Sequence, residues 1–116
     1  MRITHIALKS RVIEGYTYQE NLIAKFQARL GHTVSIITHT NDSNYSLTHN
    51  SVEFFDTDVK VLRLLEDKNR KYQSIFAKYS DLYPCIRFSH PDLLFLHGFQ
   101  FRDIFKIKKY VYIILI

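Results

Sequence analysis

Residues 15 to 38, GYTYQENLIAKFQARLGHTVSIIT, constrain this chain more than any other stretch, because they encode a loop, an amphipathic helix, a glycine stop and a buried strand in succession. Thr17 and Glu20 have the T-x-x-E spacing of a capping box, in which the hydroxyl accepts from a helix N–H and the carboxylate reaches back to the cap amide. The spacing predicts a helix from Tyr18. Leu22, Ile23, Phe26 and Leu30 recur at helical intervals and define the face expected to meet the core. Gly31 stands where a left-handed residue ends a helix most easily. The run Thr33 to Thr38, TVSIIT, is short and rich in β-branched residues, and predicts a strand covered on both faces.

The remaining segments repeat this alternation. Arg2 to Leu8 reads as a first strand, and Lys9 to Tyr16 as the loop leading to the helix. His39 to Phe55 is polar and too long for a turn, so it is expected to be a functional loop. Asp58 to Leu65, DVKVLRLL, predicts a third strand. Tyr72, Ile75, Phe76, Tyr79, Leu82, Tyr83 and Ile86 have the spacing of a long amphipathic helix, which Pro84 should kink or end. Leu93 to His97 predicts a fourth strand, Phe99 to Lys109 a short helix and Val111 to Ile116 a fifth strand. This order predicts an α/β fold: a Rossmann-like, mainly parallel sheet of about five strands with helices on both faces. In such sheets ligands bind beyond the carboxyl ends of the strands, where strand order reverses. Lys9 to Tyr16, His39 onward and His97 to Gln100 are the segments expected there.

At 116 residues the chain is predicted to form a single domain spanning 1–116, with no linker and no repeat. Sixteen Lys and Arg against eleven Asp and Glu give +5, which favours anionic partners. The cations are scattered and no nucleic-acid module accompanies them, so no nucleic acid partner is expected. Weak association with an anionic membrane surface is consistent with the charge. Cys85 is the one cysteine, which excludes an intrachain disulfide and a cysteine-rich zinc site and suits a reducing, cytoplasmic location. It reads as a small buried hydrophobe. The histidines lack metal-site spacing, and no metal or cofactor is expected. The longest apolar run, Val111 to Ile116, falls far short of the roughly 20 residues that span a bilayer.

Several phrases together resemble the N-terminal half of a GT-B-fold, family-4-type glycosyltransferase. They are the strand RITHIAL, the loop EGYTYQEN, the junction LGHTVSIIT from Leu30 to Thr38, the strand DVKVLRL and HPDLLFLHG from His90 to Gly98. The YQEN variant of the loop resembles members that build bacterial surface polysaccharides. The resemblance implies an acceptor-side domain of an enzyme that transfers a sugar from a nucleotide-sugar donor, working in the cytoplasm at the inner face of the membrane. It implies a sugar or lipid-linked acceptor as ligand. In that family the donor lies in a second Rossmann-like half with paired glutamates, for which these 116 residues have no counterpart. The chain therefore reads as a truncated product or as one part of a split enzyme with a separate donor-binding chain, inactive alone. A non-catalytic partner or membrane-docking subunit is the alternative.

The candidate cleft residues are Gly15, Tyr16, His39, His97 and Gly98. A glycine near a strand end followed by a helix N-terminus turns backbone N–H groups toward an anion. His97 reads either as a group that bonds an acceptor hydroxyl or phosphate, or as a histidine bonded to local backbone. His32 reads as an interior or turn residue that helps stop the helix. Glu20 is explained by its capping role. No residue is assigned a catalytic role from the sequence.

Overall fold

The structure, a computed structural model, describes residues 1–8, 12, 19–39, 51–55, 58–64, 81–97 and 112–115. Eight elements follow one another in this part of the chain: β1 (Arg2–Ala7), α1 (Gln19–Arg29), β2 (Thr33–His39), β3 (Ser51–Phe55), β4 (Val59–Leu64), α2 (Leu82–Ser89), β5 (Leu93–Leu96) and β6 (Tyr112–Leu115). The strands form one sheet in the order β3-β4-β2-β1-β5-β6. All neighbouring pairs are parallel except β3 with β4, which are antiparallel. The fold is thus α/β with a mostly parallel sheet, and it has six strands where about five were expected. The expected helix over Phe99 to Lys109 lies outside the described residues.

The sixth strand is β3, which occupies the end of the segment expected to be a polar loop. Its residues alternate: Val52 and Phe54 are exposed while Glu53 is half-buried and Phe55 is buried. Five residues among Thr, Asn and Ser carry too little periodic signal to stand out. The strand owes its place to β4, against which Ser51 pairs with Arg63 and Phe55 with Val59.

Strand alternation feeds two apolar clusters. Ile6 and Leu8 join Ile37, Leu64, Leu94 and Leu96, packed with Leu82 and Ile86 of α2. Ala7 joins Val34, Ile36, Phe55, Val59 and Val61, packed with Ala24 of α1. Burial of these aliphatic side chains supplies the main driving force, at about 1.5–3 kcal/mol for each large one.

Helix α1 lies inverted relative to its expected orientation. Asn21 and Ala24 are buried, whereas Leu22, Phe26 and Leu30, expected in the core, are 39%, 58% and 77% exposed. The residues turned inward are small or polar, which lets the helix approach the sheet closely and brings Gln27 to a polar partner described below. The helix begins at Gln19; its expected capping threonine, Thr17, lies outside the described residues. Its end is as predicted. Gly31 has φ of 95°, its N–H donates to Ala28 O at 3.0 Å, and the His32 N–H donates to Gln27 O at 3.2 Å. These are the paired bonds of a Schellman motif. A Cβ at Gly31 would meet nothing within 4 Å, so the left-handed backbone alone determines the effect of a side chain there. Gly31→Ala is expected to lower unfolding stability by about 1–2 kcal/mol, and Gly31→Asn by less, as read from urea denaturation midpoints.

Pro84 also behaves differently from expectation. It neither kinks nor ends α2 but sits in its first turn, two residues after Leu82. The N–H groups there have no intrahelical acceptor, so proline loses nothing. The first bond of the helix runs from the Cys85 N–H to Asp81 O at 3.0 Å. The helical pattern upstream, from Tyr72 to Tyr79, falls outside the described residues. At the other end His90 adopts φ of 45° and closes the helix with a left-handed cap. Asp92 then ties β5 to β1. Its carboxylate accepts from the Arg2 N–H at 2.8 Å and its own N–H donates to Arg2 O at 2.8 Å.

Candidate functional site

The chain leaves β1 to build β2 and β4 on one side, then crosses back to place β5 on the other. Strand order reverses between β1 and β5, and their carboxyl ends are where an open parallel sheet opens a crevice. His97 follows β5 there. Its N–H donates to Ile6 O at 3.0 Å, which prolongs the β1–β5 ladder and fixes the backbone of the residue.

The His97 side chain is buried and meets His5, a fully buried residue in the middle of β1. His5 Nδ1 and His97 Nε2 are 2.8 Å apart, and His5 Nε2 lies 2.6 Å from Gln27 Oε1 on α1. The His5 ring stacks on Phe95 with centroids 4.8 Å apart and 16° between planes. His97 lies against it at 5.1 Å and 26°. Three polar side chains from a helix, the central strand and the end of the next strand thus form one continuous chain. Buried polar groups are strongly destabilising unless paired, and here each contact pairs two of them.

His39 ends β2 and is buried. Strand alternation places it with Ile37, in the cluster packed by α2, whereas His97 joins His5 and α1. With β1 between them, the two histidines expected at one cleft are not brought together. Gly15, Tyr16 and Gly98 lie outside the described residues.

Arg63 is the residue that sequence reading passed over. It is 1% exposed, and its guanidinium donates through Nε to Glu53 Oε1 on β3, through Nη2 to Val12 O, and through Nη1 to His39 O at 3.4 Å. One planar fork therefore fastens the edge strand, the end of β2 and the segment that leaves β1. Arginine suits this role because its donors are fixed in a plane and remain charged. The available signal was parity: Val59, Val61 and Arg63 alternate on one face of β4, so the cation occupies an apolar register.

Other candidates lead elsewhere. Among the described residues no group of three or more His, Cys, Asp or Glu is placed to hold a metal ion, and no helix is long and apolar enough to cross a membrane. An open groove of about 340 Å³ lies at the opposite end of the sheet, bordered by Arg2, Ser35, Lys60 and Phe88, remote from the His5–His97 pair. The groove also gathers Asp58 and His90 beside Arg2 and Lys60, but it lies at the amino ends of the strands, whereas His97 stands at the strand-order reversal.

Cys85 is half-buried rather than fully buried, packed against the α2 cluster. Burial raises its thiol above the ordinary value, and the nearby Asp81 carboxylate raises it further. The thiol is expected to alkylate with iodoacetamide more slowly at pH 8.5 than in the urea-unfolded chain, and Asp81→Asn should speed the folded-state reaction. Because the folded pKa is the higher one, the unfolded thiol loses its proton first as pH rises. The resulting stability decrement begins near the ordinary thiol value of about 8.5 and grows until the folded thiol also ionises.

Comparison with family models, with curated proteins and with solved structures finds no match to this chain.

Proposed function

We propose that this chain is the acceptor-side, N-terminal domain of a GT-B-type glycosyltransferase, serving surface polysaccharide synthesis in the cytoplasm, and that it binds a sugar or lipid-linked acceptor without transferring sugar alone. The observation that carries the reading is the His97–His5–Gln27 chain, which runs from His97 at the carboxyl end of β5, where strand order reverses, to buried His5 in β1 and on to α1. Its Rossmann-like component is supported by the parallel strands, which in order of appearance run 3-2-1-4-5 once the antiparallel β3 is set aside. It is further supported by the two clusters that alternate residues of β1 enter, one packed by α1 and the other by α2. That arrangement accords with helices on both faces. The five phrases quoted above supply the resemblance to that family.

The test is a titration of the full chain with methyl glycosides and soluble lipid-phosphate glycosides, followed by amide chemical shifts. Saturable shifts centred on residues 5–8 and 95–97, weakened about tenfold by His97→Ala, are expected; a factor of ten corresponds to about 1.4 kcal/mol. Failure of every saccharide to shift those residues would overturn the reading, as would sugar transfer by the chain alone.

One observation favours the second reading, a membrane-docking subunit or partner of a separate donor-binding chain. Leu22, Phe26 and Leu30 form an exposed stripe on α1, flanked by Lys25 and by Arg29, whose guanidinium sits 5.7 Å over the Phe26 ring. An apolar stripe with basic flanks suits an anionic interface. Cosedimentation with phosphatidylglycerol vesicles, abolished by Phe26→Asp and absent with phosphatidylcholine, would establish it; equal recovery with both lipids would remove it.

A further inference from the structure

The groove at the amino ends of the strands brings together aromatic faces and cations, two kinds of group that a folded domain ordinarily covers or pairs. Its borders include Phe54 of β3 and Phe88 of α2, which are 56% and 76% exposed. One exposed ring by itself needs no explanation, but two on the same groove make a surface for a flat apolar body. Lys60 belongs to both. It stands directly across the β3–β4 ladder from Phe54, and its ammonium lies 5.9 Å from the centre of the Phe88 ring. Arg2, the first residue of β1, adds a second cation. Neither cation forms an ion pair with a carboxylate of the described residues, Asp58 at the border of the groove included.

The surrounding charges set how much negative charge a ligand can bring. Asp58 supplies one carboxylate, and α2 directs its carboxyl end here, where His90 caps the helix and donates its N–H to Arg87 O at 3.2 Å. A helix carboxyl end carries partial negative charge. Two cations against one carboxylate and a helix end therefore favour a single negative charge and oppose a second. We propose that this groove binds a planar aromatic monoanion, an aryl carboxylate, with its carboxylate on Arg2 and Lys60 and its ring against Phe54 and Phe88. The guanidinium fork and the ammonium give charge-assisted hydrogen bonds to the carboxylate. Neutralising Lys60 then leaves the aromatic faces to the ligand ring. The volume of about 340 Å³ stands at the lower end of the roughly 300–1,000 Å³ found for small-ligand sites, which suits one or two fused rings. A nucleoside diphosphate is bulkier and more highly charged, so the same features select against it. The groove and the His5–His97 pair lie at opposite ends of the sheet, and the assignment is independent of the acceptor-binding reading.

Amide chemical shifts of the full chain during titration with naphthoate, naphthamide, acetate and adenosine diphosphate test the assignment. Naphthoate is expected to shift residues 33–35, 58–62 and 87–90 saturably. Naphthamide keeps the rings without the charge and acetate keeps the charge without the rings, so each should bind at least about tenfold more weakly. Adenosine diphosphate should also bind more weakly than naphthoate. Lys60→Gln is expected to weaken naphthoate about tenfold and to reduce the salt dependence of its binding. Phe88→Ala, at an exposed position, should weaken it about fivefold and keeps the test in force if Lys60→Gln fails to fold. Absence of a saturable naphthoate shift at those residues would overturn the proposal, as would undiminished affinity in folded Lys60→Gln or in Phe88→Ala. Equal binding of naphthamide would overturn the role of charge, equal binding of acetate the role of the rings, and tighter binding of adenosine diphosphate the limit to one charge. Shifts at the same residues that grow with protein concentration, without any probe, would give the groove to a second copy of the chain and overturn the proposal.

Discussion

Arg63→Ala should unfold at markedly lower urea concentration than the unsubstituted chain, with a loss of about 3 kcal/mol out of the roughly 5–15 kcal/mol typical of a domain. The magnitude follows from what is stranded. Removing the guanidinium leaves the Glu53 carboxylate and the carbonyls of Val12 and His39 without the donors that Arg63 supplied. Breaking a buried ion pair on one side costs about 3–5 kcal/mol, and the lower end applies because Glu53 is 30% exposed and partly regains water. Arg63→Lys should fall between, since an ammonium reaches fewer of the three acceptors and lacks the planar fork. Arg63→Met keeps most of the stem packing, so a loss close to that of alanine would assign the effect to the donors rather than to volume. Pairing Arg63→Met with Glu53→Leu should recover part of the loss, because no carboxylate is then left facing an apolar wall. A loss below about 1 kcal/mol for Arg63→Ala would mean that the fork contributes no more than a surface pair.

How far this was legible in the sequence depends on the distance over which each feature is determined. The stop at Gly31 and the strand behind it were legible because the determinants are local: a left-handed residue, two backbone bonds within one turn, and a β-branched run. The orientation of α1 was not. Periodicity identifies an apolar stripe but does not say whether a sheet or something else covers it. Here Asn21, Ala24 and Gln27 face inward because the surface opposite contains the polar ring of His5. Pro84 misled for a related reason: the same residue that breaks a helix interior is harmless in a first turn, and the N-cap at Asp81 stood inside a longer run of helical spacing from Tyr72 that hid it. His97 could be suspected from its position at a strand end. Its partner could not, because His5 is 92 residues away and only the β1–β5 pairing brings them together. Arg63 was visible as a cation in an apolar register, but its acceptors come from three separate segments.

His5→Leu is expected to lower stability by about 3 kcal/mol even though the new side chain is similar in size and more apolar. The substitution would strand His97 Nε2 and Gln27 Oε1, at about 1–3 kcal/mol for each unsatisfied group. It would also remove the stacking on Phe95, worth about 0.5–1.5 kcal/mol. Gln27 is only half-buried and can rehydrate in part, which holds the total toward the lower end of the summed contributions. His97→Leu alone strands one ring nitrogen of His5 and should lose less, about 1–2 kcal/mol. The decisive variant is the triple substitution His5→Leu, Gln27→Leu, His97→Leu. If the polar chain serves a site rather than the fold, replacing all three members removes both of their mutual hydrogen bonds together, and the triple variant should be more stable than His5→Leu by at least about 1 kcal/mol while losing glycoside-induced shifts entirely. A triple variant less stable than the single one would place the chain among the structural contacts of the sheet, with shape rather than hydrogen bonding as its contribution.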